Sequence, residues 1–178
     1  MHLPDKTIVY DGAASQVMGT HVWFILTSGL VGDVQYRAKN FVYVYDKWFA
    51  GDPTTIKHGE IVNTISSHYG EVIGWDFGTT IIYNEGKGVI FHEIELVSLT
   101  GRVTFGENPT ISTSYSIDGE IWSVDKSITA GKKGQRTKRL VWLQQGHMEH
   151  WRIQRFKGTS DAHISIARLE VRMEPLYD

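Results

Sequence analysis

The sequence predicts a mostly-β protein, with a partial propeller-like blade at the N-terminus followed by a C-terminal antiparallel β-sandwich. Apolar and polar residues alternate with a period of two in many short runs rich in β-branched and aromatic side chains, as in half-buried strands. The 18 glycines stand singly between these runs and there are only 4 prolines, which is the punctuation of many short strands. No window shows a convincing apolar stripe with the period of a helix.

The first 70 residues are predicted to form a propeller-blade-like β segment. Strands are expected at Thr7–Tyr10, His21–Thr27 and Phe41–Tyr45, with a turn at Asp11-Gly12 and with Gly51-Asp52-Pro53 closing the unit. A single blade cannot bury both faces of its sheet. This segment therefore needs neighbouring blades or another domain packed against it.

The rest of the chain divides into a connecting region, residues 71–88, and an antiparallel β-sandwich domain, residues 89–178. Spaced glycines and a polar turn mark the connection, and the extended runs beyond it suit a sandwich of about six strands. One more strand is expected in the first segment, at Gly59–Asn63. The strands expected beyond it are Thr79–Tyr83, Val89–Leu99, Thr110–Ser116, Trp122–Ser123, Thr137–Leu143, Glu149–Phe156 and His163–Met173.

A turn signal lies at Asp118-Gly119, between two extended runs. This dipeptide predicts a hairpin because a type I′ turn needs positive φ at both central residues. Asp118 is expected to cap the turn through its carboxylate, and Trp122 is expected to pack in the sandwich.

Positive charge is concentrated between Lys132 and Lys157. This window holds eight basic residues and one acidic residue and is therefore +7, so the net charge of −2 leaves −9 for the remainder. Such asymmetry can steer an oppositely charged partner or another copy of the chain, and the alternative is a solvated loop and strand face. We predict an interaction loop that contacts another subunit, with DNA phosphates as a second possible partner. Its residues are Lys132, Lys133, Arg136, Lys138 and Arg139.

Aromatic residues provide a second candidate surface, formed by Trp48 and Phe49. Together with Trp23, Trp75, Tyr43 and Tyr45 they can build a sugar-binding platform, so a carbohydrate- or receptor-binding module is the alternative function. A purely structural interpretation places Trp23 and Trp75 in the core and Trp48 at a blade edge. An exposed cluster of two or more tryptophans would favour the binding module.

No constellation in the sequence points to catalysis, a cofactor or a metal. The absence of cysteine excludes disulfides and thiolate sites. His147 and His150 with Glu149 or His163 form the best metal candidate, but strand residues three apart point to opposite faces. No carboxylate pair, nucleophile elbow or phosphate loop is recognisable, and no run reaches membrane-spanning length. We therefore expect no enzyme activity, no cofactor, no metal and no membrane association.

Several motifs occur in the order found in one protein family. They are His2-Leu3-Pro4, Val9-Tyr10-Asp11, Trp23, Gly29-Leu30, Gly51-Asp52, Ser66-Ser67-His68-Tyr69, Val89–Leu99 with Thr100-Gly101, the turn at Asp118-Gly119, the basic loop, Trp142 and Gln145-Gly146. Their order resembles that of the packaged-DNA stabilisation proteins, the tail hubs of short-tailed P22-like bacteriophages. The similarity spans nearly the whole chain but only the C-terminal part of longer family members, which carry a large propeller region before this point.

The resemblance implies a structural virion component, not an enzyme. Family members are expected to assemble as a six-copy ring in the virion tail, after synthesis in the host bacterial cytoplasm. The ring helps close the portal channel, retain packaged DNA and attach the tail needle or tailspikes. The implied partners are the portal or adaptor ring, the needle and tailspike proteins and further copies of the chain, with DNA nearby. The alternative is a carbohydrate- or receptor-binding β-sandwich module of a phage tail.

Overall fold

A computed structural model describes residues 1–32, 34–103 and 107–176 and confirms the mostly-β prediction. The chain divides into two compact units, Met1–Trp75 and Asp76–Asp178. Within the described residues, no helix is long and apolar enough to cross a bilayer. In chain order the elements are β1 (Thr7–Asp11), α1 (Gly12–Met18), β2 (Val22–Leu26), β3 (Lys39–Val44), β4 (Lys47–Gly51), β5 (His58–Glu60), β6 (Gly74–Gly78), β7 (Ile82–Tyr83), β8 (Val89–Leu99), β9 (Thr110–Ser116), β10 (Lys126–Thr129), β11 (Val141–Leu143), β12 (His147–Met148), β13 (Trp151–Thr159) and β14 (Ser165–Pro175).

The first two strands of the N-terminal unit pair antiparallel, and α1 connects them. Asp11 ends β1 and caps this helix, since its carboxylate accepts a hydrogen bond from the Ala14 amide at 2.9 Å. Gly19 ends the helix in the left-handed conformation, with φ 67°. The prediction of a simple turn after β1 is therefore wrong. A helix of seven residues is too short to show a helical period in the sequence.

The third predicted blade strand lies in a separate sheet with the order β3-β4-β5, where it pairs with β4 and not with β2. Strand β4 was not predicted. Tyr45 and Asp46, with φ of 52° and 57°, connect β3 to β4. Positive φ at both residues of a two-residue connection is the feature of a type I′ turn. The hairpin could not be predicted from the sequence because neither residue is the glycine or asparagine that usually marks such a turn.

The C-terminal unit contains two antiparallel sheets. One has the order β10-β9-β13-β6, with β7 also paired to β13, and the other has the order β11-β8-β12, with β14 also paired to β8. Strands β8 and β9 have the predicted bounds. Strands β6 and β10 were not predicted, and the strand predicted at Trp122–Ser123 lies in a loop. Part of the segment expected as a connection, residues 71–88, is thus hydrogen-bonded as β6 and β7.

Strand β8 supplies much of the core of this unit. Phe91 and Ile94 are both buried although they are three residues apart. The pairing with β14 skips His92, and this irregularity returns the following residues to the same face. Other buried apolar residues of the unit are Val89, Leu96, Val103, Ile111, Ala130, Leu140, Trp142, Met148, Phe156 and Ala162.

The Asp118-Gly119 turn forms part of the connection between β9 and β10, but it is not of type I′. Only Gly119 has positive φ, at 82°. The Asp118 carboxylate accepts hydrogen bonds from the amides of Ile121 at 2.8 Å and Glu120 at 2.9 Å, and these bonds lower the pKa of Asp118. The expected capping role of Asp118 is confirmed.

Candidate functional site

The basic loop lies between β10 and β11 and is held from the end of β8. The buried hydroxyl of Thr100 is 3.0 Å from the carbonyl oxygen of Gln135 and 3.1 Å from that of Lys138. The Gly134 amide donates to the carbonyl oxygen of Gly101 at 3.1 Å. These contacts fix the backbone of the loop.

Gly101 is the residue that allows this close approach. Its φ is 74°, and a Cβ atom built there would lie 2.7 Å from the carbonyl carbon of Gln135. Atoms of the loop backbone cannot move as freely as the end of a side chain, so a larger residue would displace the loop. The Thr100-Gly101 pair thus sets the position of the basic residues.

The five predicted loop cations separate into two groups. Lys132, Lys133 and Arg136 are exposed, and no ion pair holds them among the described residues. Lys138 is instead half-buried and hydrogen-bonded to the hydroxyl of Thr129. The structure therefore leaves three of the five predicted residues available to a partner.

Arg139 is engaged on the outer face of the sheet that contains β8. Its guanidinium bonds to the carboxylates of Glu95 and Glu93, with Arg139 Nη2 3.1 Å from Glu93 Oε1. The bond to Glu95 raises the pKa of Arg139, and the pKa of Glu95 is lowered by the same bond. Glu93 and Glu95 therefore neutralise the positive charge of Arg139, which was predicted to contact another molecule.

Other cations of the +7 window are also engaged within the chain. Lys157 pairs with Asp125 at 2.8 Å. The Arg155 guanidinium lies 3.8 Å from the centre of the half-buried Trp122 ring. The exposed positive charge of this window is therefore carried mainly by Lys132, Lys133 and Arg136.

Arg152 is fully buried in the C-terminal unit, with 0% of its surface exposed. Its guanidinium lies between two rings, 4.2 Å from the centre of Phe91 and 4.0 Å from that of Tyr115. It donates to the side-chain oxygen of Gln154 at 2.6 and 3.0 Å and to the carbonyl oxygen of Gln145 at 2.7 Å. Burial lowers the pKa of Arg152 to about 10, so the group stays charged at neutral pH.

The predicted aromatic surface lies on the hairpin of β3 and β4. Trp48 is 51% exposed, and its ring centre is 5.2 Å from that of Tyr43 on the paired strand. Phe49 is half-buried and, as the next residue along the strand, points to the opposite face. Trp48 and Phe49 therefore do not form one surface, and Tyr43 replaces Phe49 as the neighbour of Trp48.

Trp23 forms a second aromatic pair, on β2. It is 57% exposed, which does not fit the purely structural alternative that places it in the core, and its ring centre is 4.8 Å from that of Tyr10. Trp75 is half-buried. The two exposed tryptophans each contact a tyrosine of their own sheet with the rings tilted by 49°, and no ring contact joins Trp23 to Trp48 among the described residues.

A pocket of about 730 Å³ opens in the N-terminal unit, and the sequence analysis did not find it. Its wall includes Tyr36, His68 and Tyr69, and His68 is 2.9 Å from the Ser28 hydroxyl through Nδ1. Burial and the nearby charge of Arg37 lower the pKa of His68. Most of the lining residues lie between Ile56 and Gly70, and Tyr36, Ala38 and Ala50 come from earlier in the chain.

Arg37 lies behind this wall and binds two carboxylates. It contacts Asp52 at 2.5 Å and Glu71 at 2.6 Å, and the Asp52 side chain is fully inaccessible to solvent. The hydrogen bond to Asp52 raises the pKa of Arg37 and lowers that of Asp52. Within the described residues, no three His, Asp or Glu side chains come together as potential metal ligands, and this includes His147, Glu149, His150 and His163.

Comparison with protein-family models matches both units of the chain. The beta-sandwich model of bacteriophage P22 Gp10 matches residues 74–174, and the beta-propeller model of the same protein matches residues 1–66. The chain belongs to the bacteriophage P22 Gp10 family. A search of curated proteins found no match. The predicted family resemblance and the predicted fold class are both confirmed.

Membership of the Gp10 family identifies the chain as a phage structural protein. The sandwich match includes the whole basic loop and the strands that hold it, and the propeller match includes both exposed aromatic pairs. The two candidate surfaces therefore lie in different parts of the family fold.

Proposed function

We propose that this protein is a tail-hub component that closes the portal channel of a short-tailed phage, retains the packaged DNA and provides attachment for the tail needle or tailspikes. The match to both Gp10 family models is the observation that carries the proposal. In the virion the protein forms a ring, six copies by resemblance, between the portal or adaptor ring and the tail needle.

The basic loop is proposed as one side of the contact between neighbouring copies. A ring is built from heterologous contacts, in which one patch meets a different and complementary patch of the next subunit. Lys132, Lys133 and Arg136 are exposed on a loop with a fixed backbone. The chain outside the +7 window carries −9, which supplies acidic surface for the opposite side of such a contact.

The test is the triple variant Lys132→Glu, Lys133→Glu, Arg136→Glu in the phage that carries this protein. We expect heads that package DNA but lose it to nuclease treatment, because weakened hub contacts leave the channel open. A matched control changes three exposed cations outside the loop by the same total charge, Lys57→Glu, Lys87→Glu and Arg102→Glu. Equal DNA retention by the triple variant and the control would refute the role of the loop.

Carbohydrate binding is a second candidate, favoured by the exposed Trp48–Tyr43 pair. Indole and phenol rings exposed at a surface present apolar faces of the kind that pack against sugar rings. In a complete propeller the same rings would be covered by a neighbouring blade. A glycan that changes tryptophan fluorescence in the wild type, but not in Trp48→Ala, would support this candidate. Saturable binding unaffected by that substitution would exclude Trp48 as the platform.

A further inference from the structure

We propose that the open edge of β14 pairs antiparallel with β14 of a second copy of this chain, with Val171 opposite Val171 of the second copy. The pairing joins two sandwich sheets into one continuous sheet across a two-fold axis. It is independent of the proposed basic-loop contact.

Strand β14 is an edge strand with one side unpaired. It spans 11 residues and pairs with β8 along one side. Among the described residues, no strand pairs with its other side. Such an edge presents a row of free amide and carbonyl groups to which another strand can bind.

The direction of the backbone amides shows which residues face the open edge. The Leu176 amide donates to the carbonyl oxygen of Gly88, on the β8 side, at 2.8 Å. Because successive amides along a strand point in alternate directions, the nitrogen of Pro175 faces the open edge, where a missing N–H breaks no bond to β8. Leu169, Val171 and Met173 lie even numbers of positions before Pro175, so their amides also face the open edge and are available to a second strand.

The charges of β14 are most complementary to a second copy in one register. Arg168, Glu170, Arg172 and Glu174 alternate in sign, lie on one face and are exposed. Within the chain Arg168 contacts Glu170 at 2.5 Å, Arg172 contacts Glu93 at 3.5 Å and Glu174 contacts His92 at 3.0 Å, so the pairing would share or exchange these surface contacts. A two-fold axis through Val171 places Arg168 opposite Glu174 and Glu170 opposite Arg172. These are non-hydrogen-bonded positions, where opposed side chains approach most closely.

Two neighbouring registers bring like charges together. Centring the pairing on Glu170 places Glu170 opposite itself and Arg168 opposite Arg172, and centring it on Arg172 places Glu170 opposite Glu174. Like charges directly opposite each other destabilise a strand pair. Charges on an edge strand ordinarily repel other strands, and here their alternation gives the register centred on Val171 four opposite-charge contacts, against two in the registers centred on Leu169 or Met173.

This contact is isologous and differs from a ring contact. Both copies contribute the same patch, whereas a cyclic ring joins two different patches. The β14 pairing therefore applies to copies of the protein that are not assembled in the ring. A negative result for this pairing would leave the tail-hub proposal unaffected.

Cysteine cross-linking tests the register directly, because the chain has no cysteine of its own. In Val171→Cys the two Cα atoms would be about 5.5 Å apart, within the range of a disulfide. Leu169→Cys is the matched control, since Leu169 is also half-buried but its two copies would be about 13 Å apart. We expect disulfide-linked dimers of the first variant only. Equal cross-linking of both variants, or none of either, would overturn the proposal.

A charge exchange tests the complementarity. Glu170→Arg places like charges opposite each other in both symmetric pairs and should raise the dimer dissociation constant about tenfold. The double variant Glu170→Arg, Arg172→Glu reverses both signs and should restore wild-type dimerisation. Sedimentation equilibrium measures the constants, and the melting temperature confirms folding. If a folded double variant dimerises no better than Glu170→Arg, the charge pattern does not select the partner.

Discussion

Each unit of the protein removes one arginine from solvent, and the two units satisfy the charge differently. Arg37 of the N-terminal unit binds Asp52 and Glu71. Arg152 of the C-terminal unit has no carboxylate partner among the described residues and lies between Phe91 and Tyr115. The first arrangement depends on ionised groups, whereas the second depends on ring packing and on hydrogen bonds to amide oxygens.

The difference follows from how each unit buries apolar surface. In the N-terminal unit many large apolar side chains of β2, β3 and β4 are exposed, so ionic and hydroxyl contacts carry much of the local order. The C-terminal unit places its apolar residues between two sheets, and Arg152 is enclosed by that core. Acid should therefore affect the first unit before the second, and truncation of a buried side chain should have its largest effect in the second.

The largest effect is expected for Arg152→Ala. The substitution leaves a cavity between two rings and removes the donors to Gln154 and Gln145, so it should lower the free energy of unfolding by about 3–5 kcal/mol. Arg152→Met fills the slot without a charge and should cost less. Urea denaturation of both variants measures the difference. A loss below about 1 kcal/mol for alanine would show that the network does not stabilise the core.

Substitution of Gly101 should have the next largest effect. Gly101→Ala combines positive φ with a clash against the Gln135 backbone, and we expect a loss of about 2–4 kcal/mol. Gly119→Ala is the control, since its φ is also positive but nothing lies within 4 Å of the added atom, and about 1–2 kcal/mol is expected. Thermal unfolding compares the two variants. Equal losses would mean that the loop adapts to the added methyl group.

An intermediate effect is expected from acid, and it should be confined to the N-terminal unit at first. The pKa of Asp52 is lowered in the folded protein, so its stabilisation is complete above the unfolded value of about 4 and is lost as pH falls below it. Hydrogen exchange of β3–β5 should accelerate before that of β8 and β13. Asp52→Asn should remove this difference in acid sensitivity. Simultaneous acceleration in both units of the wild type would contradict the comparison.

The smallest effect is expected for Trp48→Ala. Trp48 is half exposed, so its loss should change the free energy of unfolding by less than about 0.5 kcal/mol. Trp142→Ala should cost about 3–5 kcal/mol, because Trp142 is buried and its indole donates to the Lys126 carbonyl oxygen at 2.8 Å. Chemical denaturation of the two variants gives the contrast. Comparable losses would mean that the Trp48 face of the sheet of β3, β4 and β5 is packed against another surface in solution.

The sequence predicted the long strands of the sandwich well because their period is local. Strands β8 and β9 have the expected bounds. On β13 the polar residues Arg152 and Gln154 point inward, while the apolar Ile153 points outward. In this part of the strand polar and apolar residues therefore occupy the faces opposite to those expected of a typical core strand. No local pattern reveals that a cation is enclosed by rings from two other strands.

The candidate site was predicted only in part for a similar reason. Lys132, Lys133 and Arg136 remain exposed as expected, but Arg139 is paired with glutamates more than forty residues earlier in the chain. A local charge count cannot register such distant partners. The hairpin at Tyr45-Asp46 was missed because its residues do not carry the usual turn signal.

The most direct test of the central claim is the molar mass of the wild-type protein by light scattering, at low and high salt and at two concentrations. A hub held by charged contacts predicts a discrete ring-sized species at low salt that dissociates as salt rises. The triple variant of Lys132, Lys133 and Arg136 should fail to form it. A ring of unchanged mass in the triple variant at low salt would contradict assembly through the basic loop.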